Sequence, residues 1–191
     1  MTGLWSLPEY LSVAGQERAI RADFRDVLRV IELLERPSLY PEGRLYLALR
    51  LFYPELDKIP QENWKQAADA MMDFLAGGRK DEGPSGPKLL DWQQDADLIL
   101  SDVNRVAGRE IRSEAFVHWW TFLGWFGAIG EGRLSAVVAI RKKLREGKAL
   151  ESWEKDFYRE NKARIDLKPR LSPQEQAEKE RLEKLLETQH R

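Results

Sequence analysis

The sequence predicts a mainly α-helical fold: a helical bundle with a small N-terminal β-hairpin. Three observations lead to this prediction. Apolar residues recur at helical spacing in most segments between glycines and prolines, strand-like runs are confined to residues 8–22, and residues 116–129 form an apolar run without a formal charge. A helix of those fourteen residues rises only about 21 Å, short of the roughly 30 Å of a bilayer core. We therefore expect a helix buried in the protein, and we expect no membrane partner.

The Gly- and Pro-rich stretch 77–88 has almost nothing to bury and is the best linker in the chain. It can divide the helices into two subdomains. The expected organisation is a hairpin with three helices (1–76), the linker (77–88), a helical subdomain with an aromatic core (89–165) and a charged tail helix (166–191).

Composition narrows the function classes. The chain has 191 residues, of which 42% are hydrophobic and 33% charged, as in a globular protein. A formal net charge of −1 provides no basic field, so no nucleic-acid partner is expected. With no cysteine and two histidines, disulfides, thiolate nucleophiles and His-rich metal sites are excluded, and no cofactor is expected. The first residues lack the pattern of a signal peptide, which favours a cytoplasmic protein.

The N-terminal elements follow from short-range patterns. Two extended runs, Tyr10–Val13 and Glu17–Ile20, predict a hairpin. Asp23 can cap an amphipathic helix that ends near Arg36, because Pro37 disfavours helical geometry at the preceding residue.

Two more helices complete the first half. Residues 44–53 place apolar side chains on one face before Pro54. The next helix has Pro60 in its first turn and Gly77-Gly78 as its stop.

The second half begins with a helix that Asp91 can cap and Gly108 can end. Ser113 is placed to cap the apolar helix. Glycines at positions 124, 127, 130 and 132 suggest close packing in the second half of this helix and a stop before Arg133. Further helices are predicted from Arg133 to Gly147 and over residues 150–164. A capping box starting at Ser172 opens the tail helix.

Candidate chemistry is sparse. Asp91, Asp95, Asp97 and Asp102 could form a metal or acid–base site, but capping and the helix dipole explain carboxylates in these places more simply. His118 could be a general base, although nothing with catalytic spacing accompanies it. No nucleotide-binding motif is present, so no enzymatic activity is expected.

Candidate partner-binding residues come from aromatic and apolar positions. Trp92, Trp119 and Trp125 are more simply core residues, whereas Trp120 is left open. The tail is a charged helix with an apolar stripe, suited to solvent exposure or to docking against a partner helix. The residues to test are Trp120, Trp125, Arg141, Leu182, Leu185 and Leu186.

Several short motifs occur in an order that resembles a known protein family. Asp23-Phe24-Arg25, Asp95-Ala96-Asp97, His118-Trp119-Trp120 and Ile140-Arg141 occur in sequence. Together they resemble the bacteriophage Gp15 family over roughly residues 8–165. The chain departs from that pattern at residues 90–92, in the glycine-rich stretch 124–132 and after residue 170.

The resemblance implies a siphophage or prophage tail assembly chaperone that acts in the bacterial host cytoplasm. Such a protein is non-enzymatic, binds the long helical tape measure protein, recruits tail tube subunits and can self-associate along the tape measure. The alternative is a structural head-tail or tail completion protein that stays in the virion. A metal-dependent enzyme using Asp91, Asp95 and Asp97 is the third hypothesis.

Overall fold

The computed structural model describes residues 6–37, 40–78, 88–172, 174–178 and 181. The predicted mainly α fold with an N-terminal hairpin is confirmed. The strands and helices, in chain order, are β1 Tyr10–Val13, β2 Gln16–Ala19, α1 Phe24–Leu34, α2 Pro41–Phe52, α3 Trp64–Leu75, α4 Ala96–Ala107, α5 Trp119–Gly127, α6 Arg133–Arg145 and α7 Ser152–Ile165. Single 3-10 turns lie at Leu56–Lys58, Gln61–Asn63 and Ile111–Ser113.

The hairpin pairs antiparallel, with Tyr10 opposite Ala19 and Val13 opposite Gln16. Its two turn residues, Ala14 and Gly15, both have positive φ, which matches the right-handed twist of the strands. The second strand begins at Gln16, one residue earlier than predicted. The Ala14 amide donates to the Gln66 side chain at 3.0 Å, so the turn rests on α3.

Helix α1 forms as its sequence pattern predicts. The Asp23 carboxylate accepts the Arg25 amide, and the buried stripe contains Phe24, Val27 and Val30. The helix ends at Leu34, close to the predicted end.

The chain around Asp23 also joins the two halves of the sequence. The Phe24 amide donates to the Val117 carbonyl at 2.9 Å, and the Trp119 amide donates to the Ala22 carbonyl at 2.7 Å. The rings of Phe24 and Phe122 stack with centroids 5.0 Å apart. Buried residues from both halves form one hydrophobic core. The predicted division into subdomains stays a prediction, since most of its linker, residues 79–87, lies outside the described residues.

Two predicted helix starts are wrong. The α4 helix begins at Ala96, because the Asp91 carboxylate accepts the amides of Gln93 and Gln94 in a separate turn before it. The α5 helix is capped by His118 rather than Ser113, which lies in a 3-10 turn. The chain between Ser113 and His118 does not continue as a helix, because it pairs with the chain at residues 22–24.

Helices α6 and α7 follow in the C-terminal part of the chain. Gly147, with φ 65°, ends α6, and α7 begins close to the predicted position. The predicted capping box is present, since the Ser172 amide donates to the Glu175 carboxylate and the Glu175 amide to the Ser172 hydroxyl. Residues 174–178 are helical and exposed, whereas Leu182, Leu185 and Leu186 lie outside the described residues.

Candidate protein-binding groove

The end of α3 is closed by two indoles from α5. Trp119 Nε1 donates to the Leu75 carbonyl at 3.0 Å, and Trp120 Nε1 donates to the Phe74 carbonyl at 2.9 Å. Carbonyls at a helix end lack intrahelical donors, so the Trp119 indole satisfies the Leu75 carbonyl. The Phe74 carbonyl also accepts the Gly77 amide at 3.0 Å, and the Trp120 indole adds a second bond to it. The two indole bonds fix the first turn of α5 across the end of α3.

Two glycines allow this close approach. Gly77 and Gly78 have φ of 74° and 71°, a region that favours glycine. A Cβ on Gly78 would lie 3.0 Å from the Trp120 ring, and one on Gly77 would lie 3.2 Å from the Leu123 side chain. The predicted stop of α3 is therefore also the surface on which Trp120 and Leu123 pack.

Beside this junction an apolar groove of about 660 Å³ opens to solvent. Its lining comes from the end of α3 and from one side of α5: Ala76, Gly77, Trp120, Leu123, Gly124, Phe126, Gly127 and Ala128. We call this the α3–α5 groove. The lining side chains that the structure describes are apolar or absent, and backbone atoms add a polar share of the surface. The groove therefore suits an apolar ligand surface better than a charged one.

The glycines at positions 124, 127, 130 and 132 were expected to pack closely within the protein, and at three of these positions the expectation is wrong. A Cβ on Gly124, Gly127 or Gly130 would meet nothing within 4 Å. Only Gly132 is crowded, with Asp102 Oδ2 at 2.8 Å from its Cβ position. Gly124 and Gly127 therefore widen the groove instead of packing against the core.

The groove wall is joined to the core by aromatic contacts. Phe126 lies 5.1 Å from the Trp92 ring and 6.5 Å from the Phe122 ring. Phe74 stacks on Trp120 with centroids 5.7 Å apart. Each aromatic wall residue thus has a fixed neighbour, which makes the groove a preformed surface.

His118 has a structural role at the start of α5. Its Nδ1 accepts the Trp120 amide at 3.0 Å, which leaves Nε2 as the nitrogen that donates to the Pro8 carbonyl at 3.0 Å. The ring is buried, and both nitrogens are engaged. His118 is therefore a hydrogen-bonded core residue rather than a general base facing a substrate.

Trp125 does not line the groove. Five positions separate it from Trp120, which turns the two side chains about 140° apart around the helix. Its half-buried ring lies under the Arg109 guanidinium at 5.7 Å. The partner contact at Trp125 stays a prediction, on a different side of α5.

The Arg141 side chain binds other groups in the protein interior. Its guanidinium donates to both Asp95 oxygens at 2.7 and 2.9 Å, and to the carbonyls of Ile165, Leu89 and Arg164. These bonds engage all five N–H groups of the side chain, which is 5% exposed. The side chain therefore presents no free donor to a partner.

Asp91 and Asp102 also have structural partners, whereas Asp97 is exposed in the first turn of α4. Asp91 binds Arg170, and Asp102 accepts the Leu134 amide at the start of α6. Burial opposes ionisation of Asp91, but hydrogen bonds from Arg170, the Gln94 amide and Lys88 outweigh it and hold its pKa well below the usual range. Within the described part of the chain, no group of three or more His, Cys, Asp or Glu residues could hold a metal ion.

Most groove residues escaped the sequence analysis, which singled out Trp120 alone. The available signal was the pair Gly124 and Gly127 inside an apolar helix, together with the Ala76-Gly77 stop. Glycine in a helix interior indicates either close packing or open space, and sequence spacing does not distinguish them.

The fold and groove define a small, mainly α-helical protein with an apolar surface suited to another helix. The family model described as Bacteriophage Gp15 protein matches residues 6–167, and the chain belongs to this family. Members have a structural or assembly role in phage and are not a known enzyme family. No curated protein and no solved structure gives a significant match. Across the described ranges, no helix is long and apolar enough to cross a membrane.

Proposed function

We propose that this protein is a non-enzymatic tail assembly chaperone that binds an apolar helical segment of the tape measure protein in the α3–α5 groove. The observation that carries the proposal is the groove itself, which has apolar side chains, is about 660 Å³ in volume and lies between the end of α3 and one side of α5. Recruitment of tail tube subunits and self-association along the tape measure are part of the same proposal. A role in the host cytoplasm follows from it.

Helix-in-groove binding fits the shape and chemistry of this surface. An amphipathic helix can lay its apolar stripe into such a groove, with a tryptophan as an anchor. Trp120 is half-buried and held by its bond to Phe74, so little side-chain freedom is lost on binding. Gly124, inside α5, costs the helix about 1 kcal/mol relative to alanine, and a closely approaching ligand helix would use the space that Gly124 and Gly127 leave.

The test is co-expression with the tape measure protein of the same phage, followed by size-exclusion chromatography with light scattering. The wild-type chain should keep the tape measure protein soluble in a complex with many copies of the chaperone. A Cβ at position 124 meets no atom of the described residues within 4 Å, so the fold should tolerate a leucine there. The side chain of Gly124→Leu would occupy the groove and should weaken binding about tenfold or more. Gly43→Leu is the matched control, since this α2 glycine is equally open and lies outside the groove.

Loss of binding in both variants, or in neither, would contradict the proposed site. An insoluble tape measure protein beside a chaperone that elutes alone would contradict the proposed function. Mass spectrometry of purified particles separates the two assembly roles. A chaperone should be absent from the particle, whereas a head-tail or tail completion protein should be present.

A further inference from the structure

A second cleft, of about 450 Å³, lies where the segment after α7 crosses α1 and the turn at Asp91. It shares no lining residue with the α3–α5 groove. Its charged residues are Glu35, Lys88, Asp91, Arg145, Lys168 and Arg170. We call it the basic cleft, because four of these side chains are cations and two are anions.

The two anions are already paired. Lys88 lies 3.1 Å from the carboxylates of both Glu35 and Asp91. Arg170 lies 3.1 Å from Glu35 and 2.9 Å from Asp91. This network of two cations and two anions is neutral, and it fixes the floor of the cleft.

Arg145 and Lys168 supply the remaining charge. Both are exposed, and neither has an ion-pair partner among the residues that the structure describes. Arg145 is in the last turn of α6, where a cation also complements the helix dipole. The cleft therefore has two positive charges that no described carboxylate neutralises.

We propose that the basic cleft binds carboxylate side chains of an acidic segment on a partner protein. A guanidinium can hold a carboxylate through two parallel bonds, and the ammonium of Lys168 adds a second donor. Leu167 and Pro169 form an apolar part of the lining, against which the methylene groups of a glutamate can pack.

An acidic protein segment fits better than a nucleic acid. Glu35 and Asp91 lie within the cleft, where they would repel a continuous row of phosphates. A single inserted carboxylate can approach Arg145 and Lys168 and avoid both anions. The protein would thus bind an apolar helix on one surface and an acidic segment on another.

The experiment measures binding of a labelled glutamate-rich peptide by fluorescence anisotropy, at low salt and at about 0.15 M. Arg145→Gln/Lys168→Gln should weaken binding about tenfold, since it removes charge-assisted hydrogen bonds. Lys155→Gln/Lys162→Gln removes the same charge from exposed sites on α7 outside the cleft, and should change the affinity less than twofold. Thermal unfolding of both pairs should match that of the wild type.

Absence of peptide binding, or equal weakening in both pairs, overturns the proposal. Inorganic phosphate and a single-stranded oligonucleotide are the competing probes. Displacement of the peptide by millimolar phosphate, or tighter binding of the oligonucleotide that depends on Arg145 and Lys168, assigns the cleft to phosphate and overturns the carboxylate assignment. Gly124→Leu should leave peptide binding unchanged, so this proposal and the proposed function can fail separately.

Discussion

Arg141 and Asp95 form a two-point ion pair in the protein interior, with side chains 5% and 0% exposed. The pair joins α6 to the residue that precedes α4. The same guanidinium donates to the Ile165 carbonyl at the end of α7. The Arg141 side chain therefore connects α6 with the start of α4 and the end of α7. Its positive charge is neutralised by the Asp95 carboxylate.

Arg141→Met should destabilise the protein by about 3–5 kcal/mol, because it leaves the Asp95 carboxylate buried without its partner. Urea unfolding measures the change. Arg145→Met, one helical turn away and exposed, is the control and should change the free energy of unfolding by less than about 0.5 kcal/mol. A stable Arg141→Met that has lost tape measure binding would instead assign Arg141 to the interface.

The junction of α4 and α6 depends on a glycine for steric reasons. A Cβ on Gly132 would lie 2.8 and 2.9 Å from the two Asp102 oxygens, and Asp102 accepts the Leu134 amide at 3.2 Å. Gly132→Ala should push this carboxylate away from the start of α6 and cost about 1–3 kcal/mol in thermal or urea unfolding. Gly130→Ala, with no atom near its Cβ, should be almost neutral, and equal effects of the two substitutions would contradict this explanation.

Asp91 should make the free energy of unfolding depend on pH in the acidic range. Its pKa in the folded protein is below the unfolded value of about 3.9, so the ionised carboxylate stabilises the fold above roughly pH 4–5. That contribution is lost as the pH falls through the folded pKa. Asp91→Asn should cost about 1–3 kcal/mol at pH 7, and urea unfolding should show the difference from wild type shrinking below about pH 4. A difference that stays constant between pH 5 and about pH 2.5 would contradict the assignment.

Local signals predicted the elements whose ends are set by nearby residues. Asp23 and the stripe that follows it define α1, and Gly108 ends α4 with φ 69° as expected. The cap of α5 was mispredicted because serine is a preferred N-cap residue and histidine is not, although His118 caps the helix. The choice between them depends on the pairing of Val117 and Trp119 with the chain at residues 22–24, far away in sequence.

The candidate site was predicted less completely for a similar reason. Trp120 was recognisable as an aromatic in an apolar helix, but its groove requires the end of α3 to lie against it. Arg141 resembled a surface cation, since nothing in its own segment reveals that Asp95 lies opposite. A charged residue in a helix is usually exposed, and only the packing of α4 on α6 makes this one internal.

Gly78 offers a direct probe of the groove wall. Gly78 and Gly108 have nearly the same backbone conformation, with φ of 71° and 69°. They differ in surroundings, because a Cβ on Gly78 would lie 3.0 Å from the Trp120 ring and one on Gly108 would meet nothing within 4 Å. Alanine at either position should cost about 1 kcal/mol from the positive φ alone.

Gly78→Ala should cost more than Gly108→Ala, by about 1 kcal/mol or more, because the Trp120 ring must also move. The displaced indole would weaken its bond to the Phe74 carbonyl, so tryptophan fluorescence should shift in Gly78→Ala and not in Gly108→Ala. Tape measure binding should fall only in Gly78→Ala, since Trp120 is the proposed anchor. Equal stability losses with unchanged fluorescence would show that the ring adapts freely, which contradicts a rigid groove wall.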